Sequence, residues 1–179
     1  MNLFSKAFAA LTAAALSAAP VAAQPADQHS PVALDYEHAH LIATIQSVGI
    51  PVTYDHEICK GGNVAGFYNG LNGWFTVCKG DTPWTPYHLD TLRHEAQHLV
   101  QDCVADGRID FELAPYLENP VTFAQSVGFT AEDFRTLRRM YSRLSDQDFL
   151  LEIEAFAVAA AVSPSDIASA IVSTCPAGA

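Results

Sequence analysis

Residues 90–107 read DTLRHEAQHLVQDCVADG, and this stretch decides how the rest of the chain is understood. Leu92, Ala96, Leu99, Val100, Cys103 and Val104 fall at helical spacing and make one apolar stripe. Asp90 or Thr91 is placed to cap the start, and Gly107 to stop the helix after about Ala105. On that helix sits His94-Glu95-Ala96-Gln97-His98. Residues four apart stack on one helical face about 6 Å apart, so two imidazoles can reach a single ion. Zinc accepts neutral histidine nitrogen at about 2.0–2.1 Å and keeps one position open for water at catalytic sites. Glu95 follows the first histidine directly, so its carboxylate can take a proton from a metal-bound water without ligating. The expected cofactor is one Zn2+ per chain, held by His94 and His98, with Glu95 as general base.

A catalytic zinc needs a third protein ligand. Residues 99–104 supply no further histidine. Asp102 and Asp106 lie one turn or more past His98, where their short side chains reach poorly. Leu151-Glu152-Ile153-Glu154-Ala155-Phe156-Ala157 is a better source: an alanine-rich, largely buried helix with two acids near its middle. Buried carboxylates are costly unless paired or metal-bound. The two acids point about 200° apart at helical spacing, so one can face a metal and the other solvent. Glu154 is the first choice and Glu152 the second; the bland alternative puts both on a solvated face.

His94-Glu95-Ala96-Gln97-His98 followed by Glu154-Ala155-Phe156-Ala157 resembles the gluzincin clan of zinc metallopeptidases, especially its small single-domain members. The resemblance spans roughly residues 64–161. It implies a zincin-like α+β domain, hydrolysis of peptide bonds in a peptide or protein substrate, and an edge strand that pairs with extended substrate. The hairpin strand Trp74–Cys78 is the candidate for that edge. The sequence departs from the family's pattern in two respects, the first of them concerning its thermolysin-like subgroup. The Asp four residues past the glutamate ligand is here Val158 (from Glu154) or Phe156 (from Glu152). The family's transition-state donor, a Tyr or His, has Tyr141, Tyr116 and Arg138 as candidates by residue type or charge alone. The competing reading keeps the fold without the activity: an exported metal-binding or interaction module.

Upstream of the motif, Leu41, Ile42, Ile45 and Val48 predict a helix capped by Asp35 and ended by Gly49 and Pro51. Pro51–Tyr54 reads as a short strand. Asn63–Tyr68 and Trp74–Cys78, separated by a turn-rich Asn69–Gly73, read as a hairpin in a small sheet, antiparallel at least in part. Thr82–Pro86 reads as a proline-punctuated loop. Downstream, Ile109–Val127 is ambiguous. Thr130 with Asp133 resembles a capping box for a helix through Phe134, Leu137, Tyr141 and Leu144. Ser145 caps a helix over about 146–162, and a last short helix carries Ile167 and Ile171. The fold class is α+β in one domain, residues 24–179: a β-hairpin packed on the motif helix, with further C-terminal helices.

Residues 1–23 have the layout of a secretory signal: Lys6, an apolar run over 7–19, then Val21-Ala22-Ala23. The run is too short for a membrane-spanning helix, and no longer apolar run follows. The chain carries a net charge of −11, with 20 acidic residues against 9 basic. That balance argues against a nucleic-acid partner and against anionic lipid. An exported protein, periplasmic or secreted, is expected to oxidise its cysteines. Cys59 with Cys78 and Cys103 with Cys175 is the favoured pairing; one bridge plus two thiols is the alternative. His38 and His40 read as surface residues, and His56-Glu57 as a loop feature.

Overall fold

In the computed structural model, which describes residues 27–62 and 64–175, the motif helix begins earlier than expected, with its cap at Thr85 instead of Asp90 or Thr91. Helix α2 covers Pro86–Asp106. Thr85 accepts from the His88 backbone N–H, and Pro86 occupies the first helical position, where a missing N–H costs nothing. The proline read as loop punctuation is thus the helix's own first residue. Gly107, at φ 78°, closes the far end. The expected signal segment lies outside the described residues.

Helix α1 (Tyr36–Ser47) is capped by Asp35 and lays Leu41 and Ile45 into the core. Three short strands follow: β1 (Val52–Thr53), β2 (Gly66–Asn69) and β3 (Trp74–Val77). β2 and β3 form the expected hairpin through a 3₁₀ turn over Gly70–Asn72, in the register Phe67–Thr76 and Tyr68–Phe75. β1 adds parallel to β3 on its other side, giving a mixed sheet of order β1-β3-β2. This corrects one expectation. The Trp74–Cys78 strand is central, with both sides paired, and β2 is the edge beside the motif helix. The β1–β3 pairing joins residues more than 20 apart in parallel, which no hairpin pattern announces.

β2 lies directly on α2. A Cβ built on Gly66 would come within 2.5 Å of the Thr91 side chain and 3.0 Å of Glu95 Cγ. Only glycine permits this approach. Gly66→Ala is expected to force the strand off the helix, lowering stability by about 1–3 kcal/mol through overpacking; a shifted urea midpoint checks it.

The ambiguous stretch is irregular up to Asn119, which caps helix α3 (Pro120–Ser126). Helix α4 (Ala131–Met140) has the full Thr130–Asp133 capping box and ends before Tyr141, a turn short of the expected Leu144. Helix α5 (Asp146–Ala161) is capped by Ser145, and α6 (Pro164–Thr174) by Ser163. α2 is the central rod, packed on α5, α6 and the sheet. Leu92, Leu99, Val100, Phe75, Ile167 and Ile171 meet around it with almost no exposed surface.

Both favoured disulfides are present, Cys59–Cys78 and Cys103–Cys175, and no cysteine among the described residues is free. Two bridges fit an oxidising compartment. Cys103–Cys175 ties the end of α2 to the end of α6 across 72 residues. A Cys103→Ser, Cys175→Ser variant is expected to lose about 3–4 kcal/mol, because so long a loop restrains the unfolded chain strongly. Denaturant titration measures it. Among the described residues no helix is long and apolar enough to cross a membrane.

Candidate metal centre

Three donor groups converge where α2 crosses α5. His94 and His98 come from successive turns of α2, with Nε2 atoms 3.2 Å apart. Glu152 comes from α5, its Oε2 3.4 Å from His94 Nε2 and its Oε1 3.6 Å from His98 Nε2. These donors form a group able to hold a metal ion. Four ligands placed tetrahedrally at about 2.0–2.1 Å are separated by about 3.3 Å, close to the separations observed. Glu152 Oε2 is buried with no hydrogen-bond partner, which a buried acceptor tolerates poorly unless something else occupies it.

The order of preference between the two acids is therefore reversed. Glu154 points away from the histidines into a fully buried pocket of N–H donors. Its Oε1 accepts from Gln97 Nε2 (2.7 Å), Gln101 Nε2 (3.1 Å) and the Tyr116 N–H (3.1 Å), and its Oε2 from the Leu117 N–H (2.9 Å). The alternative of two solvated acids fails as well, since Glu152 is only slightly exposed. Asp102 and Asp106 are occupied elsewhere. Asp102 accepts from Tyr68 Oη at 2.5 Å and from the Asp110 and Phe111 N–H groups, while Asp106 pairs with Arg108.

Each histidine is held differently. His98 Nδ1 meets Gln101 Oε1 at 2.8 Å. His94 Nδ1 is buried without a partner, and Phe156 packs on that ring with centroids 4.4 Å apart. Phe156 stands four residues past Glu152, one turn further along α5, so the His94 ring of α2 meets an aromatic side chain of α5.

Glu95 is not one of the converging donors but lines both cavities that reach them. Burial pushes its carboxyl up to about 7; Glu152 adds to the rise, while His94 and the Tyr68 N–H oppose it. Burial also lowers His98 to about 4, leaving a neutral imidazole at pH 7. For Glu152 burial acts upward, but the neighbouring His94, His98 and Tyr141 together hold it below the usual carboxylate range.

These shifts carry a stability consequence. Glu95 is ordinarily half-ionised at 4.5 and in the metal-free fold at about 7, so the fold disfavours its charged form. Through this group the metal-free protein loses stability as pH rises from about 4.5 to 7. His98 acts in the opposite direction, losing stability as pH falls from 6.5 towards 4. Glu95→Gln is expected to remove the first contribution alone, so the variant should gain on the parent as pH rises from 5 to 8. Urea midpoints of both metal-free proteins at those two pH values test this.

Of the candidate donors named by type, the structure brings one to the site. Tyr141, just past α4, lines both cavities beside His94 and Glu95. Burial and the neighbouring Glu152 raise its hydroxyl above the ordinary tyrosine value. Tyr116 contributes only its backbone to Glu154. Arg138 bonds Leu144 O and Asp146 and lies over the Phe149 ring. His38 is buried against Asp35 rather than exposed, whereas His40 stays at the surface. His56 caps a 3₁₀ turn, as a loop residue does.

The cavities make a cleft across the centre. The larger, about 640 Å³, has walls from Tyr87, Phe129, Met140, Phe156 and Ala159. The smaller, about 240 Å³, lies against Phe67, Phe111 and Leu113. Gly66 of the β2 edge borders both. Comparison of the chain with protein-family models, curated proteins and solved structures finds no match in any of the three.

Proposed function

We propose that the protein is a zinc-dependent peptide hydrolase of the gluzincin type, with a zincin-like fold. The observation that carries this is the convergence of His94, His98 and Glu152, with the unligated Glu95 beside them under a free strand edge. Two neutral nitrogens and one carboxylate match a zinc set used for hydrolysis. Zinc held there would polarise the scissile carbonyl and make a water easier to deprotonate. An extended peptide lies along β2, which offers unpaired backbone groups on its outer side. Glu95 takes the proton from the attacking water and passes it to the leaving amine. Tyr141 Oη donates a hydrogen bond to the carbonyl oxygen as negative charge grows on it. The apolar walls of the larger cavity accept an apolar substrate side chain.

The same reading places the protein outside the reducing cytoplasm, periplasmic or secreted, which the two disulfides support. The test is elemental analysis of the purified protein together with a quenched-fluorescent peptide library. About one zinc per chain is expected, with cleavage lost on chelation and restored by added zinc. His98→Ala should lose both. A protein that holds zinc but cleaves nothing in the library would be a metal-binding module instead. One that takes up no zinc at neutral pH would sink the reading altogether.

A further inference from the structure

Gln101 and Glu154 are fully buried and have no part in the chemistry just described, yet a chain of hydrogen bonds joins them to His98. Gln101 Nε2 faces two acceptors, the Leu151 carbonyl at 3.0 Å and Glu154 Oε1 at 3.1 Å. Glu154 receives N–H groups at both of its oxygens, the acceptor-only role of a carboxylate. The Gln101 amide can therefore be oriented in only one way. Flipping it would set its carbonyl oxygen against two acceptors and its NH₂ towards His98. In the allowed orientation Oε1 faces His98 Nδ1 at 2.8 Å and can only accept, so the ring proton must sit on Nδ1. The lone pair is then on Nε2, the atom that faces His94 Nε2 and Glu152. A free neutral histidine side chain prefers the opposite form.

We propose that Gln101 and Glu154 act as a positioning relay that locks His98 in the Nδ1–H tautomer, with its Nε2 lone pair aimed at the metal position. The importance of that lone pair rests on His98 being a ligand, as proposed above. The tautomer itself does not depend on it. The relay reaches beyond the helices. Glu154 binds the Tyr116 and Leu117 N–H groups, and Gln101 O accepts from the Ala114 N–H. The segment beside Leu113, a wall of the smaller cavity, is therefore fixed by the same two residues. His94 has no equivalent, since its Nδ1 has no partner. The two histidines are unequal: one is preset and the other only packed.

The experiment is long-range ¹H–¹⁵N NMR on the metal-free protein at pH 8, paired with zinc affinity from competition against a chromophoric chelator. The parent is expected to show His98 with the proton on Nδ1. Gln101→Leu removes the acceptor, so the Nε2–H form should appear and zinc should bind about 10–100-fold more weakly. Gln101→Met keeps the length of the side chain but offers no oxygen acceptor to Nδ1. It should show the same release of the tautomer and the same loss of affinity, and it serves if Gln101→Leu does not fold. Nε2–H on His98 in the parent overturns the proposal, as does unchanged affinity in a folded Gln101→Leu protein. A parent with Nδ1–H on His98 that never binds zinc leaves the relay standing and removes the hydrolase reading.

Discussion

Glu95→Gln is expected to lower peptide hydrolysis by about 10²–10⁴-fold, the contribution of a positioned general base, while zinc stays near one per chain. The amide keeps the size and burial of the side chain, and Glu95 is not among the three converging donors. Metal affinity should therefore change little. Turnover fails because an amide cannot take a proton from water or return one to an amine. Steady-state rates and metal content on the same preparation decide the matter. Retained hydrolysis at normal zinc content would show that another group is the base, and loss of zinc along with activity would show Glu95 to be a ligand.

The second large effect separates the two acids of α5. Glu152→Ala is expected to weaken zinc binding by at least about 100-fold, since even partners behind the ligands commonly contribute 10–100-fold. The fold should persist, because Glu152 Oε2 has no hydrogen bond to lose. Glu154→Ala should do the reverse in emphasis. Four N–H groups lose their acceptor at a fully buried position. Each unmet donor costs about 1–3 kcal/mol, and even with water relieving some, a loss of about 4 kcal/mol is expected. In a domain of this size that is on the order of 10 °C in Tm. Thermal melts and zinc titration of the pair give the answer. A stable Glu154→Ala protein that has lost its metal, beside a Glu152→Ala protein that keeps it, would invert the assignment.

The sequence favoured the acid that the structure turns away from the histidines, and the reason is physical. Helical spacing shows that Glu152 and Glu154 point apart, but nothing local says which side of α5 meets α2. That choice is made by packing between residues more than 50 positions distant, including the Gln97 and Gln101 bonds to Glu154. His94, Glu95 and His98 were legible because their relation is internal to one helix. The caps at Asp35, Thr130 and Ser145 were legible for the same reason. Thr85-Pro86 misled because proline serves both loops and first helical turns, and the apolar stripe begins only at Leu89. The central place of β3 was hidden because β1 contributes two residues to a parallel pairing that carries no turn signature. Tyr141 could be named by type, but only the end of α4 brings it to the cleft.

The Cys103–Cys175 bridge bears on the His94–His98–Glu152 group although it supplies no donor. It begins one turn and a little beyond His98 and ends on the far side of α5 from the sequence standpoint. In the oxidised but unfolded chain, the path from His98 to Glu152 through the sulfurs is about half the path along the backbone. Halving a flexible loop lowers the cost of closing it by about 0.6 kcal/mol. The two halves of the donor set thus stay at a raised effective concentration even when nothing is folded. A chain oxidised before it folds has a shorter search for the His94–His98–Glu152 arrangement than a reduced one, so the bridge links assembly of this donor group to the pairing of the sulfurs.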